Sequence, residues 1–164
     1  MELHHSTGGV ATTDGKFTER GPLRAFATIG SLVLRGRQSD AAEALLRSAY
    51  SYRDGGTAWD AFPQAWRRAG RENARAALWD FLITIGNYPS ATDLATVGVP
   101  VVCSYGARSP DFIVRCTRSL AVAIPTARTH RIEGAGHAAP FDAPANFVQL
   151  ITDTITAWAG RSVR

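Results

Sequence analysis

The sequence has little sulfur and no long apolar run. Its 164 residues include two cysteines, Cys103 and Cys116, too few for a disulfide framework or a cysteine-rich zinc site, and we expect both to be reduced structural residues. No apolar run approaches the roughly 18 residues that a membrane-spanning helix needs. The first residues lack the basic and apolar regions of a signal peptide. These absences predict a cytoplasmic protein without a membrane segment.

Positive charge exceeds negative charge but is not concentrated. The formal net charge is +4, from 18 basic and 14 acidic residues. The arginines are scattered, without a nucleic-acid motif or a stripe that interleaves basic and aromatic residues. We interpret them as a solvated surface and expect no nucleic-acid partner. The hydrophobic share of 45% is typical of a globular chain of one domain, or of one domain with a small appendage.

Residues 21–85 show helical periodicity without a convincing strand. Apolar residues at spacings of three and four predict amphipathic helices: residues 21–34, a second helix that starts at the Asp-x-x-Glu signal of Asp40 and stops at Gly55-Gly56, and a third over residues 72–83. Trp59, Phe62 and Trp66 recur at the same spacings, and Pro63 indicates a break or a helix start among them.

From Val99 onward the pattern changes to alternating strands and helices. The apolar run Val99–Tyr105 predicts a buried strand that stops at Gly106, and Ala127–Ile132 predicts a second strand. A helix follows each strand, and the last one, Ala145–Trp158, is expected to turn one face inward: Phe147, Leu150, Ile151, Thr154, Ile155 and Trp158. Two or three strands cannot bury both faces of a parallel sheet, so part of it is missing or supplied by a partner.

Both predicted strands deliver polar residues at their carboxyl ends, the edge where open parallel sheets bind ligands. The second strand runs into Glu133–His137, and His137 is the group there that titrates near neutral pH. The pattern from Gly134 to Ala139 also fits a dinucleotide fingerprint. Pro140 and Pro144 would interrupt the helix that a nucleotide site needs, and the pair His4-His5 has no further metal ligands nearby in the sequence. We therefore expect no cofactor and no metal.

Together these segments resemble the C-terminal half of an α/β-hydrolase. Val99–Gly106 resembles the penultimate strand of that fold, Ile132–Pro140 its last strand and histidine loop, and the segment from Asp142 its closing helix. The helical block resembles the lid that these enzymes insert above the sheet. The resemblance implies an α/β protein with a partial α/β-hydrolase fold whose N-terminal strands are missing, organised as an irregular N-terminal segment (1–20), a helical lid (21–96) and the C-terminal part of the core (97–160).

The resemblance also implies a catalytic triad in the chain order nucleophile, acid, histidine. His137 matches the family histidine, which acts as general base. Family members often place Asp at the fourth position of a Gly-x-x-Asp turn after the penultimate strand, and here Ser109 occupies that position. Asp111 is the candidate acid; its other interpretation is an acidic first-turn residue favoured by the helix dipole. Otherwise the acid comes from an earlier strand outside this sequence, or is absent.

The candidate nucleophile is Ser6, since His5-Ser6-Thr7-Gly8-Gly9 resembles the strained turn that exposes the family serine. Two features oppose it. His4 stands where a small residue is needed, and residues 10–21 lack the periodicity of the helix that should follow. The alternative is that the nucleophile lies upstream of this sequence.

The resemblance therefore implies a serine-type hydrolase of an ester or a similar acyl substrate, represented by an incomplete chain. The alternative is a non-catalytic binding or interaction protein on the same scaffold. We expect a small apolar substrate, little esterase activity from this chain alone, and, as one arrangement open to it, a homodimer that covers the exposed sheet. Five helical residues could wall the substrate or pack onto the sheet: Trp59, Phe62, Trp66, Leu78 and Phe81.

Overall fold

The computed structural model describes residues 20–86 and 89–159, and the side chains of residues 24–80 and 89–159. The candidate Ser6 and the pair His4-His5 lie outside these ranges, as does nearly all of the predicted segment 1–20. Contacts divide the chain into two compact units. The helical unit contains the described residues up to Ser51 and Gly55–Ser90, and the strand unit contains Tyr52–Asp54 and the residues from Ala91 onward. No helix within the described ranges is long and apolar enough to cross a membrane.

The helical unit consists of helices joined by short turns, in agreement with the periodicity. Its elements are α1 (Arg20–Leu34), α2 (Gln38–Ala49), a 3₁₀ turn (Ala58–Ala61), α3 (Gln64–Glu72) and α4 (Ala74–Gly86). Ile29, Ala41 and Leu78 are buried together, one from each of α1, α2 and α4. These helices are stabilised by burying their apolar faces against one another, because helices of this length are marginal alone.

Helix α2 ends at Ala49, before the predicted stop at Gly55-Gly56. The N–H of Ala58 donates to the carbonyl of Tyr50 at 3.0 Å, and Ser51 pairs with Thr57 in an isolated antiparallel bridge. These contacts close a loop directly after the helix and satisfy backbone groups that a longer helix would have paired internally.

The aromatic residues near Pro63 differ in burial. Trp59 is 3% exposed and packs edge to face on Phe62, with ring centroids 6.0 Å apart. Gly70 of α3 makes room for this ring, since a Cβ there would lie 2.8 Å from Trp59. Trp66, by contrast, is 56% exposed. The spacing of three and four therefore predicted the cluster, while Trp66 contributes less burial than its two neighbours.

The strand unit contains a two-stranded parallel sheet with helices before, between and after the strands. Its elements are α5 (Ala91–Ala95), β1 (Val101–Gly106), α6 (Asp111–Ala123), β2 (Ala127–Ile132), α7 (Ala139–Asp142) and α8 (Pro144–Ala159). Val101 lies opposite Ala127, and Gly106 opposite Ile132. The predicted parallel pairing is confirmed. Strand β1 starts after Pro100, which has no N–H to give to a ladder.

The core of the strand unit lies between the sheet and α8. Ile132, Ala135 and Leu150 are buried there, with Val102 and Phe147 packed against them. The expectation for α8 was too broad, because Ile151 and Ile155 are 43% and 60% exposed. Each is one residue beyond a buried position, Leu150 or Thr154, and so lies about 100° around the helix. The two-stranded sheet is too narrow to cover both the helix face with Leu150 and Thr154 and the adjacent face with Ile151 and Ile155.

Candidate active site

The histidine loop, residues 133–138, leaves the carboxyl end of β2. Gly134 has φ 75°, in the left-handed region that glycine adopts without steric cost, and the chain turns there. Ala135, Gly136 and Ala138 are buried, whereas His137 between them is exposed. The loop is thus anchored by its small residues and presents the imidazole at the surface.

The β1 turn, residues 106–109, is joined to the histidine loop by backbone hydrogen bonds. The N–H of Ala107 donates to the carbonyl of Ile132 at 2.9 Å, and the N–H of Arg108 donates to the carbonyl of Ala135 at 2.8 Å. A Cβ at Gly106 would overlap the carbonyl oxygens of Ala135 and Gly136. The ends of the two parallel strands therefore meet through bare backbone, at the edge where such sheets carry their sites.

A hydrogen-bonded chain of three residues also holds the histidine loop. The hydroxyl of Tyr52 donates to Oδ1 of Asp142 at 2.6 Å, and the N–H of Gly136 donates to Oδ2 of Asp142 at 2.7 Å. A Cβ at Gly136 would lie 2.7 Å from the Tyr52 ring. The guanidinium carbon of Arg108 lies 3.9 Å from the centroid of that ring, within cation–π range.

Burial changes the pKa of two groups in this region. Loss of hydration, followed by the hydrogen bond to Asp142, raises the pKa of Tyr52 to about 12. His137 is exposed, yet the atoms packed around its ring remove part of its hydration, and this desolvation lowers the pKa of the imidazole below its ordinary value. His137 is therefore mostly neutral at pH 7, the form in which a histidine accepts a proton.

The two sequence positions considered for the acid have different surroundings. Ser109, at the fourth position of the β1 turn, is fully buried, and its Oγ has no hydrogen-bond partner among the described residues. Asp111 begins α6, is exposed, and pairs with Nε of Arg53 at 3.1 Å. His137 and Asp111 both follow the carboxyl end of a strand, so the structure brings their segments to one edge of the sheet.

Tyr52 and Asp142 were not among the residues that the sequence pointed to. They are 90 positions apart, and nothing in the residues around Tyr52 indicates a partner in the strand unit. For Asp142 the available signal is its place shortly after His137 and just before α8. Within the described residues, no three histidine, cysteine, aspartate or glutamate side chains cluster closely enough to hold a metal ion.

The helical unit has an open cavity of about 520 Å³. Its lining is polar and charged: Ser39, Glu43, Gln64, Arg67, Arg68, Arg71 and Glu72. Trp59 and Phe62 lie in the core instead, and the side chain of Phe81 is outside the described residues. No apolar residue of the described ranges lines this cavity, and the small apolar substrate stays a prediction.

A parallel strand pair with a histidine loop at its carboxyl edge and a closing helix fits part of an α/β-hydrolase fold. Comparison with solved structures agrees. The chain is similar to the bromoperoxidase from Bacillus anthracis, with a TM-score of 0.60, 15% identity, and coverage of 79% of this chain and 48% of that one. It is also matched to an α/β hydrolase from Sphaerobacter thermophilus at 20% identity and a TM-score of 0.43, covering 70% of this chain and 46% of that one.

The likeness to the bromoperoxidase shows that the chain has part of an α/β-hydrolase fold. It spans about half the length of the solved structures that it matches. No protein-family model matches the sequence, and no curated protein matches it. At 15% identity the likeness to the bromoperoxidase concerns the fold, and the chemistry has to be argued from the residues of this chain.

Proposed function

We propose that this chain carries the general base, His137, of a serine-type hydrolase that acts on an ester or a similar acyl substrate. The observation that supports it most is the meeting of two parallel strand ends, where the histidine loop and the β1 turn are tied together and His137 stays exposed. A base needs this combination of a fixed backbone and a side chain at the surface.

In the proposed reaction, the neutral imidazole of His137 takes the proton of a serine hydroxyl while the serine oxygen attacks the acyl carbon. The bond to the leaving alcohol then breaks, and the imidazolium returns the proton to that oxygen. Water repeats the sequence on the acyl-serine and releases the acid. The lowered pKa of His137 keeps the base form populated at pH 7, and such proton transfer contributes about 10²- to 10⁴-fold in rate.

The proposed hydrolase also needs a serine nucleophile and an acid that pairs with His137. Ser6 is the candidate nucleophile within this sequence, and Asp111 is the candidate acid. A serine and an acid upstream of this sequence are the alternatives, and the helical unit is proposed as the lid.

The proposal is tested by reaction of the full chain with a fluorophosphonate, followed by peptide mapping. If Ser6 is the nucleophile, a label forms on Ser6, is absent in Ser6→Ala and forms about 100-fold more slowly in His137→Ala. His130→Ala is the matched control, because His130 is exposed on β2. Equal labelling rates in the two histidine variants would exclude His137 as the base.

A non-catalytic protein on the same scaffold is the second candidate. Two observations favour it: Ser109 stands where the family places its acid, and Asp111 is paired with Arg53. This candidate predicts that the folded chain takes up no fluorophosphonate at any serine and hydrolyses p-nitrophenyl acetate no faster than His137→Ala does.

A further inference from the structure

The segment Tyr52–Asp54 belongs to the strand unit although the chain on both sides of it belongs to the helical unit. The N–H of Arg53 donates to the carbonyl of Arg108 at 2.8 Å. Arg108 in turn donates to both carboxylate oxygens of Asp54, at 3.2 and 3.3 Å. These contacts fix the segment on the β1 turn and hold the Tyr52 side chain against the histidine loop.

Both oxygens of the Asp142 carboxylate are used, one by each partner. Oδ1 accepts from the Tyr52 hydroxyl and Oδ2 from the Gly136 N–H, at 2.6 and 2.7 Å. Hydrogen bonds to an ionised acceptor are shorter and stronger than neutral ones. The peptide unit before Gly136 is therefore held twice, at its N–H by Asp142 and at the Ala135 carbonyl by Arg108.

We propose that Tyr52 and Asp142 are positioning residues for His137, with the Tyr52 hydroxyl orienting the Asp142 carboxylate and the carboxylate fixing the backbone one residue before the imidazole. The catalytic value of that orientation rests on the proposed function. The effect of Tyr52 and Asp142 on the geometry of the histidine loop is independent of that function, and it is measured without substrate.

The hydroxyl of Tyr52 carries this role separately from its ring. The ring fills the space over Gly136, where a Cβ would lie 2.7 Å from it, and it stacks under Arg108. Phenylalanine at position 52 retains both of these contacts and loses the hydrogen bond to Asp142. Tyr52→Phe therefore removes the proposed link while preserving the packing.

The strand unit offers a matched control in Tyr105. Its hydroxyl accepts a hydrogen bond from Arg118 at 2.9 Å, and the guanidinium of Arg118 lies 5.4 Å from its ring centroid. Tyr105→Phe thus removes a tyrosine hydroxyl beside an arginine in the same unit, and the hydrogen bond that is lost goes to Arg118, not to Asp142.

The experiment measures amide hydrogen exchange at Gly136 and the NMR titration of His137 in the full chain. In Tyr52→Phe we expect the Gly136 amide to exchange about tenfold faster. We also expect the pKa of His137 to rise toward the ordinary value of about 6.5, because a looser loop rehydrates the ring. Neither quantity is expected to change in Tyr105→Phe.

Wild-type exchange at Gly136 together with a wild-type His137 titration in Tyr52→Phe would overturn the proposal, as would equal changes in the two tyrosine variants. Asp142→Asn is the second variant, because an amide cannot accept the same two hydrogen bonds with a full negative charge. If Tyr52→Phe does not fold, Asp142→Asn replaces it. We expect the Gly136 amide to exchange faster in this variant too, and wild-type exchange with a wild-type His137 titration would overturn the proposal.

The proposed function fails separately. If Tyr52→Phe loosens Gly136 while fluorophosphonate labels His137→Ala and His130→Ala at equal rates, the positioning role stands and the hydrolase proposal falls. If labelling depends on His137 while Tyr52→Phe leaves the Gly136 amide, the His137 titration and the labelling rate unchanged, the hydrolase stands and the positioning role falls.

Discussion

The two units of this chain are stabilised by different kinds of interaction. In the helical unit, buried apolar side chains such as Ile29 and Trp59 hold short helices together. In the strand unit the site depends on backbone contacts and hydrogen bonds between remote segments, such as Arg108 to Ala135 and Tyr52 to Asp142. Substitutions in the helical unit should therefore cost in proportion to buried volume. Substitutions in the strand unit should cost according to the fit of the backbone.

Among the substitutions by alanine, the largest effect is expected for Trp59→Ala. Loss of this buried ring leaves a cavity beneath Gly70 and should lower the free energy of unfolding by about 3–5 kcal/mol. The measurement is urea unfolding followed by circular dichroism. Trp66→Ala removes the same side chain from a site where it is 56% exposed and packs edge to face on Phe62, and it should cost at most about 1.5 kcal/mol. Similar losses of unfolding free energy in the two variants would contradict the expectation that cost in this unit follows the buried volume that is removed.

Gly106→Ala should be the most damaging single-methyl change in the strand unit. The added Cβ meets carbonyl oxygens of Ala135 and Gly136, which cannot move without displacing the histidine loop. We expect a loss of about 2–3 kcal/mol, with amide chemical-shift changes concentrated at residues 135–138. The control is Gly98→Ala, where no atom lies within 4 Å of the new Cβ. An equally stable Gly106→Ala would show that the strand ends are not joined through bare backbone.

Gly70→Ala sharpens the comparison, because its Cβ meets side chains rather than backbone. The obstructing atoms belong to Trp59 and Leu46, at 2.8 and 2.9 Å, and side-chain tips can shift. The expected loss is about 1–2 kcal/mol, measured by the same urea unfolding and smaller than that of Gly106→Ala. The reverse order would mean that the helical unit is the more rigid of the two.

Much of the fold was predictable because its signals are local. Periodicity located α1, α6 and α8, and alternation of strand and helix predicted the parallel pair. The sequence could not show that Ile151 and Ile155 would be exposed, since periodicity reports an apolar stripe but not what covers it. Helix α7, with four residues, is too short for a periodic signal.

The candidate site was less predictable for a physical reason. His137 follows a glycine-rich loop after a strand, so its place at the edge of the sheet could be inferred. Tyr52 reaches Asp142 across 90 positions, and a hydrogen bond between such distant residues leaves no periodicity to read. Gly106 was recognised as the end of a strand, but the carbonyls that crowd it belong to a loop that only the folded chain brings near.

A smaller effect is expected at alkaline pH. The pKa of Tyr52 is raised to about 12, above the ordinary value of about 10, so the folded chain favours the neutral phenol. The resulting stability is fully present below about pH 10 and is lost as the pH rises from about 10 to about 12. Absorbance at 295 nm should show a tyrosine component that titrates late. That component should disappear in Tyr52→Phe but persist in Tyr105→Phe.

The smallest effect on stability is expected on the outer face of α8. Ile155→Lys should change the free energy of unfolding by less than about 0.5 kcal/mol, because Ile155 is exposed. Leu150→Lys, on the buried face of the same helix, should prevent stable folding of the strand unit. Sedimentation of Ile155→Lys also tests the expected homodimer, whose mass should fall if this face takes part. An unchanged mass would remove α8 from that interface.

The crowding at Gly106 and Gly136 bears on how this scaffold can diversify. At both positions a methyl group would collide with a neighbouring residue. We therefore expect glycine to be the one residue that these two positions accept. New specificity has to arise instead at exposed neighbours outside the proposed catalytic groups, such as Glu133. A mutational library should therefore tolerate change around the two strand tips in an alternating pattern, with forbidden and permissive sites next to each other.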